Sequence, residues 1–211
     1  MEKNIILLAG KPGSGKSLLG RELSRDLSPI VSVEHLSVGD HIRAIGRGAL
    51  SAYHNDVLDH LNTFGQTQPL DHAVMSAIVT ERLEHAADAQ LVLLDGFPRY
   101  LEQVKHLYNI AEVTKRSIKG MVVTHIDDEI AINRLLKRHE SHPERQTDPA
   151  SAQARIDHFN STIQPVYDEL TDRQVTLRRI DTNATKQATT LHGLLTVQGL
   201  LGINQSLSDD Q

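Results

Sequence analysis

Apolar positions along this chain switch repeatedly between two spacings. Asn4–Ala9 is a short apolar run that ends at Gly10, as a buried strand does. From Lys16 to Leu27 the leucines at 19, 23 and 27 recur every four positions, which predicts a helix with one buried face. Val31–Leu36 reads as a second strand, and Leu70–Ala87 as a helix with Val74, Ala77 and Ile78 on one side. Leu91–Leu94 is continuously apolar and closed by Asp95-Gly96, the pattern of a strand covered on both faces of a parallel sheet. Leu101, Val104, Leu107, Tyr108 and Ala111 form another helical stripe. Strand Met121–Ile126 and helix Glu129–Arg138 follow. A long helix over Ala150–Leu170 carries Ile156, Phe159, Ile163, Val166, Tyr167 and Leu170. Strand Val175–Ile180 and helix Thr185–Leu201 complete the series, and the polar tail Gly202–Gln211 is expected to be mobile. Strands alternating with helices predict an α/β fold around a parallel sheet, in one domain over 1–211.

Composition narrows what such a fold does here. The chain has 211 residues, 39% hydrophobic and 23% charged, enough for one well-formed core. Its formal charge is -5 and its aromatic content 3% with no Trp, which argues against binding nucleic acid by phosphate neutralisation or base stacking. The absence of Cys excludes a disulfide scaffold, a thiolate zinc site and a cysteine nucleophile. The 12 histidines read as surface residues, not as a zinc site. No apolar run approaches the ~20 residues of a membrane span. The N-terminal apolar stretch runs straight into a motif, so it reads as a first strand and not a cleaved signal; the expected compartment is the cytoplasm.

That motif is Gly10-Lys-Pro-Gly-Ser-Gly-Lys16-Ser17, which fits G-x-x-x-x-G-K-[ST] between a strand and a helix. Gly13, Ser14 and Gly15 let backbone N–H groups face phosphate oxygens, and the helix N-terminus adds partial positive charge. Lys16 is expected to reach the β- and γ-phosphates of a nucleotide, and Ser17 to ligate Mg²⁺. Asp95-Gly96-Phe97-Pro98-Arg99 stands at the carboxyl end of a predicted strand, where ligands of parallel sheets bind. Asp95 is there to hold Mg²⁺ or its waters, and Arg99 to fork onto a phosphate; a plain Asp-Gly turn with a solvated arginine is the alternative. Arg134, Lys137, Arg138, Arg145 and Arg155 gather around one helix–loop–helix junction of an acidic chain. They form either a solvated helix end or a lid that closes over phosphates.

With these residues the chain resembles the adenylate kinase family of nucleoside monophosphate kinases, from Gly10 to about Asp181. The markers are Gly10–Ser17, Leu36–Arg43, Asp95–Arg99 with Gln103, Arg134–Arg138, and Arg145 followed by Arg155. The resemblance implies a three-layer α/β/α sandwich with a five-stranded parallel sheet. It also implies a helical acceptor-binding insert at about 37–72 and a short, zinc-free lid at about 138–147. The implied reaction moves the γ-phosphoryl group of Mg·ATP to a nucleoside monophosphate, AMP first. Lys16, Arg99, Arg138, Arg145 and Arg155 are then catalytic. Gly13 to Leu18 and Arg134 bind the donor, with Arg134 on its adenine. Ser37, Val38, Arg43, Gly96, Arg99 and Gln103 bind the acceptor, Arg43 and Arg99 at its phosphate and Gln103 at its base; residues about Gln68–His72 border that pocket. Ser17 and Asp95 serve the metal. Nucleotides are the expected partners, and members with a short lid are commonly monomeric.

Four features depart from the family pattern. Val38 stands where many members have Thr, as in relatives that use pyrimidine monophosphates, whereas Gln103 resembles the AMP-using members. Leu18 replaces a Thr after the loop. Gln146-Thr147-Asp148 replaces an acidic pair after Arg145, with Asp148-Pro149 reading as a helix start. Ile45–Gln68 matches only loosely. UMP/CMP kinase, a kinase of another small molecule and a catalytically weak nucleotide-binding homologue are the alternatives.

Overall fold

The computed structural model describes residues 2–64, 70–141 and 149–203. Five strands, β1 (Lys3–Gly10), β2 (Val33–Ser37), β3 (Leu91–Asp95), β4 (Arg116–His125) and β5 (Leu177–Asp181), form one sheet in the order β2-β3-β1-β4-β5. Every pairing is parallel. The helices among the described residues are α1 (Lys16–Leu27), α2 (Val38–Gly46), α3 (His54–Phe64), α4 (His72–His85), α5 (Leu101–Val113), α6 (Asp128–Ser141), α7 (Pro149–Asp172) and α8 (Lys186–Leu201).

The alternation of side chains along a strand explains the continuous apolar runs. Ile5, Leu7 and Ala9 face one side of the sheet, while Ile6 and Leu8 face the other. The first side, with Val92 and Leu94 of β3, meets α4, α5 and α7 through Leu83, Val104, Leu107, Val166 and Leu170. The second, with Leu91 and Leu93, meets α1 and α8 through Leu19, Leu23, Leu27 and Val197. A strand buried on both faces has no polar alternation to show, so β1 and β3 read as unbroken apolar stretches. Two further cores stand apart from the sheet. Ile45 of α2, Val57 of α3, Leu70 and Ile78 of α4 form one, and Ile126, Ala131 and Leu135 with Ala152 and Ile156 of α7 form the other.

The predicted sheet and its alternation of strands and helices are present, with shifted boundaries. β4 begins at Arg116, earlier than its apolar stretch, because Lys3–Ile5 pair with Arg116–Ile118 before the ladder shifts register. β5 begins at Leu177, since the Val175 N–H bonds the Leu170 carbonyl and closes the end of α7. α4 begins one residue past Asp71, whose Oδ1 accepts from the N–H groups of Ala73 and Val74. Pro149 is the first residue of α7. α2 and α3 fill the stretch that matched the family loosely. Gly202, with φ +68, ends α8, and the Ile203 N–H bonds the Gln198 carbonyl; the rest of the predicted tail, 204–211, lies outside the described residues.

Gly20 shows how tightly α1 is set against the sheet. A Cβ there would stand 2.4 Å from the imidazole of His35 on β2, a side chain only 8% exposed. An alanine in a helix ordinarily gains up to about 1 kcal/mol over glycine, but forcing a methyl into a filled site costs roughly 1–3 kcal/mol. Gly20→Ala is therefore expected to lower the melting temperature by a few degrees, where helix propensity alone predicts a rise; thermal unfolding followed by circular dichroism decides the sign.

Candidate active site

β1 ends at Gly10 and the chain turns through the glycine loop into α1. Gly13 takes φ +84, and a Cβ there would meet the Ala131 carbonyl of α6 at 2.5 Å, so both conformation and space require glycine. The loop is tied from beneath. Thr124 of β4 donates to the Ala9 carbonyl at 3.1 Å, and its hydroxyl lies 2.7 Å from that of Ser14. Ser14 thus faces the interior and can present only its backbone to a ligand. The Lys11 ammonium pairs with Asp128 in the first turn of α6. No side chain caps α1 and its first turn holds no acid, so the positive end of the helix is left for an anion.

Lys16 and Ser17 open α1, facing Asp95 at the end of β3. The Ser17 hydroxyl donates to Asp95 Oδ2 at 2.5 Å, and His35 Nε2 stands 3.5 Å from the same oxygen, a near contact more than a hydrogen bond. Asp95 is 2% exposed. Burial alone would raise its pKa; His35, the Lys16 charge and the Ser17 hydroxyl outweigh burial and hold the carboxyl below its ordinary value.

Lys16 is where the cations meet. Desolvation is the largest influence on it and pushes its pKa down to about 8. Asp95 opposes that shift, while Arg99, Arg155 and Arg43 add to it. Three guanidinium groups from α2, the β3–α5 loop and α7 therefore lie within electrostatic reach of one ammonium group. Arg43 and Arg99 are held locally. Arg43 Nη2 donates to Asp40 Oδ1 at 2.5 Å across one turn of α2, whose N-cap is Ser37. Arg99 folds back over its loop, with Nε donating to the Gly96 carbonyl at 2.9 Å. Gly96 permits this at φ +88, because a Cβ would stand 2.8 Å from Arg99 Nη2. The Arg99 N–H donates to Gln103 Oε1 at 2.8 Å. Arg99 is exposed to the cleft, yet desolvation by its walls disfavours its charge, as does Arg43.

The remaining sequence-derived residues fall in several places. Arg134, on α6, donates to the Thr182 carbonyl at 2.9 Å and passes beside Gly15, so it lies against the glycine loop. Leu18 is 40% exposed on α1. Val38 is 2% exposed and belongs to the main core with Leu36, Val79 and Phe97, so its side chain is turned inward. Gln103 is also buried. Arg138 is exposed near the end of α6. Arg145, the segment Gln146–Asp148, Gln68 and most of the predicted lid lie outside the described residues. Sequence reasoning missed Thr124, His35, Lys11 and Asp128, which position the loop and Asp95. Only Lys11 carried a signal, as a lysine inside the motif.

A cavity of about 520 Å³ runs along the outer edge of β2 between Arg21 of α1 and Arg82 of α4. Its acids are already engaged, Glu34 with Arg82 at 3.0 Å and Asp40 with Arg43. It adjoins the cleft through His35, through Ser37, the ladder partner of Asp95, and through Asp40. Among the described residues no group of three or more His, Asp or Glu is placed to hold a metal by itself, and no helix is long and apolar enough to cross a membrane.

A parallel sheet with a glycine loop, a crowded lysine and a strand-end aspartate defines a P-loop nucleotide-binding site. The family model described as adenylate kinase matches residues 8–175. Curated relatives include an adenylate kinase of Corynebacterium glutamicum, 28% identical over 82% of this chain and 88% of the relative. One from Prochlorococcus marinus is 34% identical over 66% of this chain and 70% of the relative. One from Campylobacter jejuni subsp. doylei is 27% identical over 64% and 68%. The chain belongs to the adenylate kinase family and is a phosphotransferase.

The depressed Lys16 makes a pH prediction. Below about pH 8 the free protein already carries the charged ammonium group; above it, the group loses its proton. A bound triphosphate favours the charged form, so nucleotide binding above pH 8 must take up a proton, and affinity falls as pH rises. Calorimetry of ATP binding near pH 9 in buffers of different ionisation enthalpy is expected to show uptake approaching about one proton per nucleotide. Lys16→Met is expected to show none of it.

Proposed function

We propose that the chain transfers the γ-phosphoryl group of Mg·ATP to AMP, giving two molecules of ADP. One observation carries the reading: Arg43, Arg99 and Arg155, from three separate elements, all bear on Lys16 in one cleft. Two nucleotides meeting end to end bring several negative charges to one gap, and this cluster suits that load. The acceptor phosphate oxygen is already anionic near neutral pH, so no strong general base is needed. Catalysis consists of alignment plus charge stabilisation.

On this reading Gly13 to Ser17 cradle the donor phosphates, Lys16 neutralises charge as the β–γ bridge breaks, and Arg134 lies against the donor adenine. Arg43 and Arg99 grip the acceptor phosphate. Arg155, with Arg138 and Arg145 from the junction about the lid, answers the equatorial oxygens of the transferring group. Ser17 and Asp95 fit Mg²⁺: a hydroxyl and a buried carboxylate kept ionised are hard oxygen donors, which suit an ion that retains waters and phosphate oxygens. The ion, when bound, supplies charge neutralisation on the triphosphate.

The reading takes 37–72 as the acceptor-binding insert and about 138–147 as a lid. The small cores at the junctions of α2–α4 and of α6–α7 support it, because each gathers helices at a place beyond the sheet, although α4 and α7 also reach into the main core. Closure excludes water that would otherwise hydrolyse ATP. The protein is taken as a cytoplasmic monomer acting on free nucleotides. The second reading, a UMP/CMP kinase, rests on Val38; its inward side chain weakens that argument.

A coupled assay with AMP, UMP, CMP, dCMP and GMP is expected to give the highest kcat/KM with AMP, and turnover of none would end the reading. Lys16→Met should cut turnover by orders of magnitude. It should also raise the melting temperature of the nucleotide-free protein, because an ammonium group depressed to about 8 costs folding stability at pH 7 relative to the unfolded chain. Arg99→Ala should raise KM for the monophosphate about tenfold or more and leave KM for ATP near its parental value.

A further inference from the structure

Tyr100 follows Arg99 directly and begins no part of the proposed chemistry, yet its side chain joins three elements. Its backbone is extended, at φ -131 and ψ 150, as the N-cap of α5, and its side chain supplies no capping bond there. The hydroxyl instead reaches His158 Nε2 on α7 at 2.6 Å, between residues 58 positions apart. The ring stacks on His72, the first residue of α4, with centroids 4.9 Å apart and planes at 27°. His72 Nδ1 in turn lies 3.9 Å from Glu102 in the first turn of α5.

The neighbours of this bridge give it meaning. His158 lies three residues beyond Arg155 on α7, so the two sit one helical turn apart. Tyr100 is joined by one peptide bond to Arg99, whose own N–H is held by Gln103. The Tyr100–His158 bond therefore spans between the Arg99 loop and the helix bearing Arg155, two of the sources of positive charge that bear on Lys16. Burial, the larger influence, raises the phenol's pKa above its ordinary value and Arg99 only partly offsets this, so the phenol keeps its proton near neutral pH. One bond of this length is a modest contribution to stability in a protein of this size. Its leverage lies in position, since a displacement of an ångström between two guanidinium groups changes how both meet one phosphoryl group.

We propose that Tyr100 is a positioning residue, whose bond to His158 and stack on His72 fix the Arg99 loop relative to α7 and to the acceptor side of the cleft. The proposal rests on the acceptor-phosphate role assigned to Arg99 above. It assigns Tyr100 no contact with substrate. Its effect passes through Arg99 and Arg155.

Steady-state kinetics with ATP and AMP, together with thermal unfolding, test it. Tyr100→Phe keeps the ring and its stack but removes the hydroxyl. It is expected to raise KM for AMP and lower kcat, each about threefold to tenfold, with KM for ATP unchanged within about twofold. His158→Leu should reproduce that pattern, His158→Gln should largely restore it through its side-chain amide, and Tyr100→Phe/His158→Leu should lose no more than either single variant. Parental kinetics in Tyr100→Phe, an equal loss for both substrates, a lowered melting temperature with kinetics intact, or additive losses in the double variant would each overturn the proposal. If instead the parental protein phosphorylates no monophosphate, the functional reading beneath it falls, which the parental assay reports separately from any variant.

Discussion

Repulsion among cations in one cleft is the constraint around which this molecule is organised. Lys16 feels Arg43, Arg99 and Arg155, and Asp95 pulls the other way. Such crowding is unfavourable, and it adds to the larger effect of burial in depressing Lys16. A fold tolerates it only where something else holds each group in place. Here the holding is local: Arg43 by Asp40, Arg99 by the Gly96 carbonyl, Asp95 by Ser17. An anionic ligand then relieves what the apo protein bears, and the relief is greatest for the ligand, or transition state, that spreads most charge across the gap.

The sheet makes this crowding possible. Because β1 is central and flanked by β3 and β4, the glycine loop and Asp95 emerge from adjacent strands at the same end. Both strands are buried on both faces, so their ends are rigid points. Thr124 on the other neighbour fastens the loop from below. Arg43 and Arg155, by contrast, stand on α2 and α7, helices that contribute to smaller cores beyond the sheet as well as to the main one.

The large core was the legible part of the sequence, and the reason is physical. Ile5–Ala9 and Leu91–Leu94 are apolar because both faces are covered, and the glycine motif is local, with its whole function in eight consecutive residues. The first residues of β4 were hidden because Arg116–Lys119 are mostly polar at the edge of the core, and strand identity there comes from pairing with β1. α2 and α3 were hidden because they are short and bury few residues each. Side-chain pairs were beyond reach for a different reason. Ser17–Asp95, Ser14–Thr124 and Tyr100–His158 are 78, 110 and 58 residues apart, and nothing in a single chain's local pattern states that they touch. Val38 is the instructive case: its residue type suggested a pocket wall, but its burial in the main core is a matter of how α2 rolls onto the sheet.

On the proposed reading, with Val38 turned inward, discrimination among acceptor bases falls to Gln103, whose contacts are those of a buried side chain. Its carbonyl oxygen already accepts from the Arg99 N–H, and its amide N–H groups are donors. The same hydrogen bond links the proposed base reader to the proposed phosphate grip across four residues. On that reading, a monophosphate held at both ends by this turn has its base contact and its phosphate grip joined through the Arg99 backbone. Recognition of the base and alignment of the phosphate thereby become one event, so an acceptor that fits poorly at its base is also poorly placed to attack.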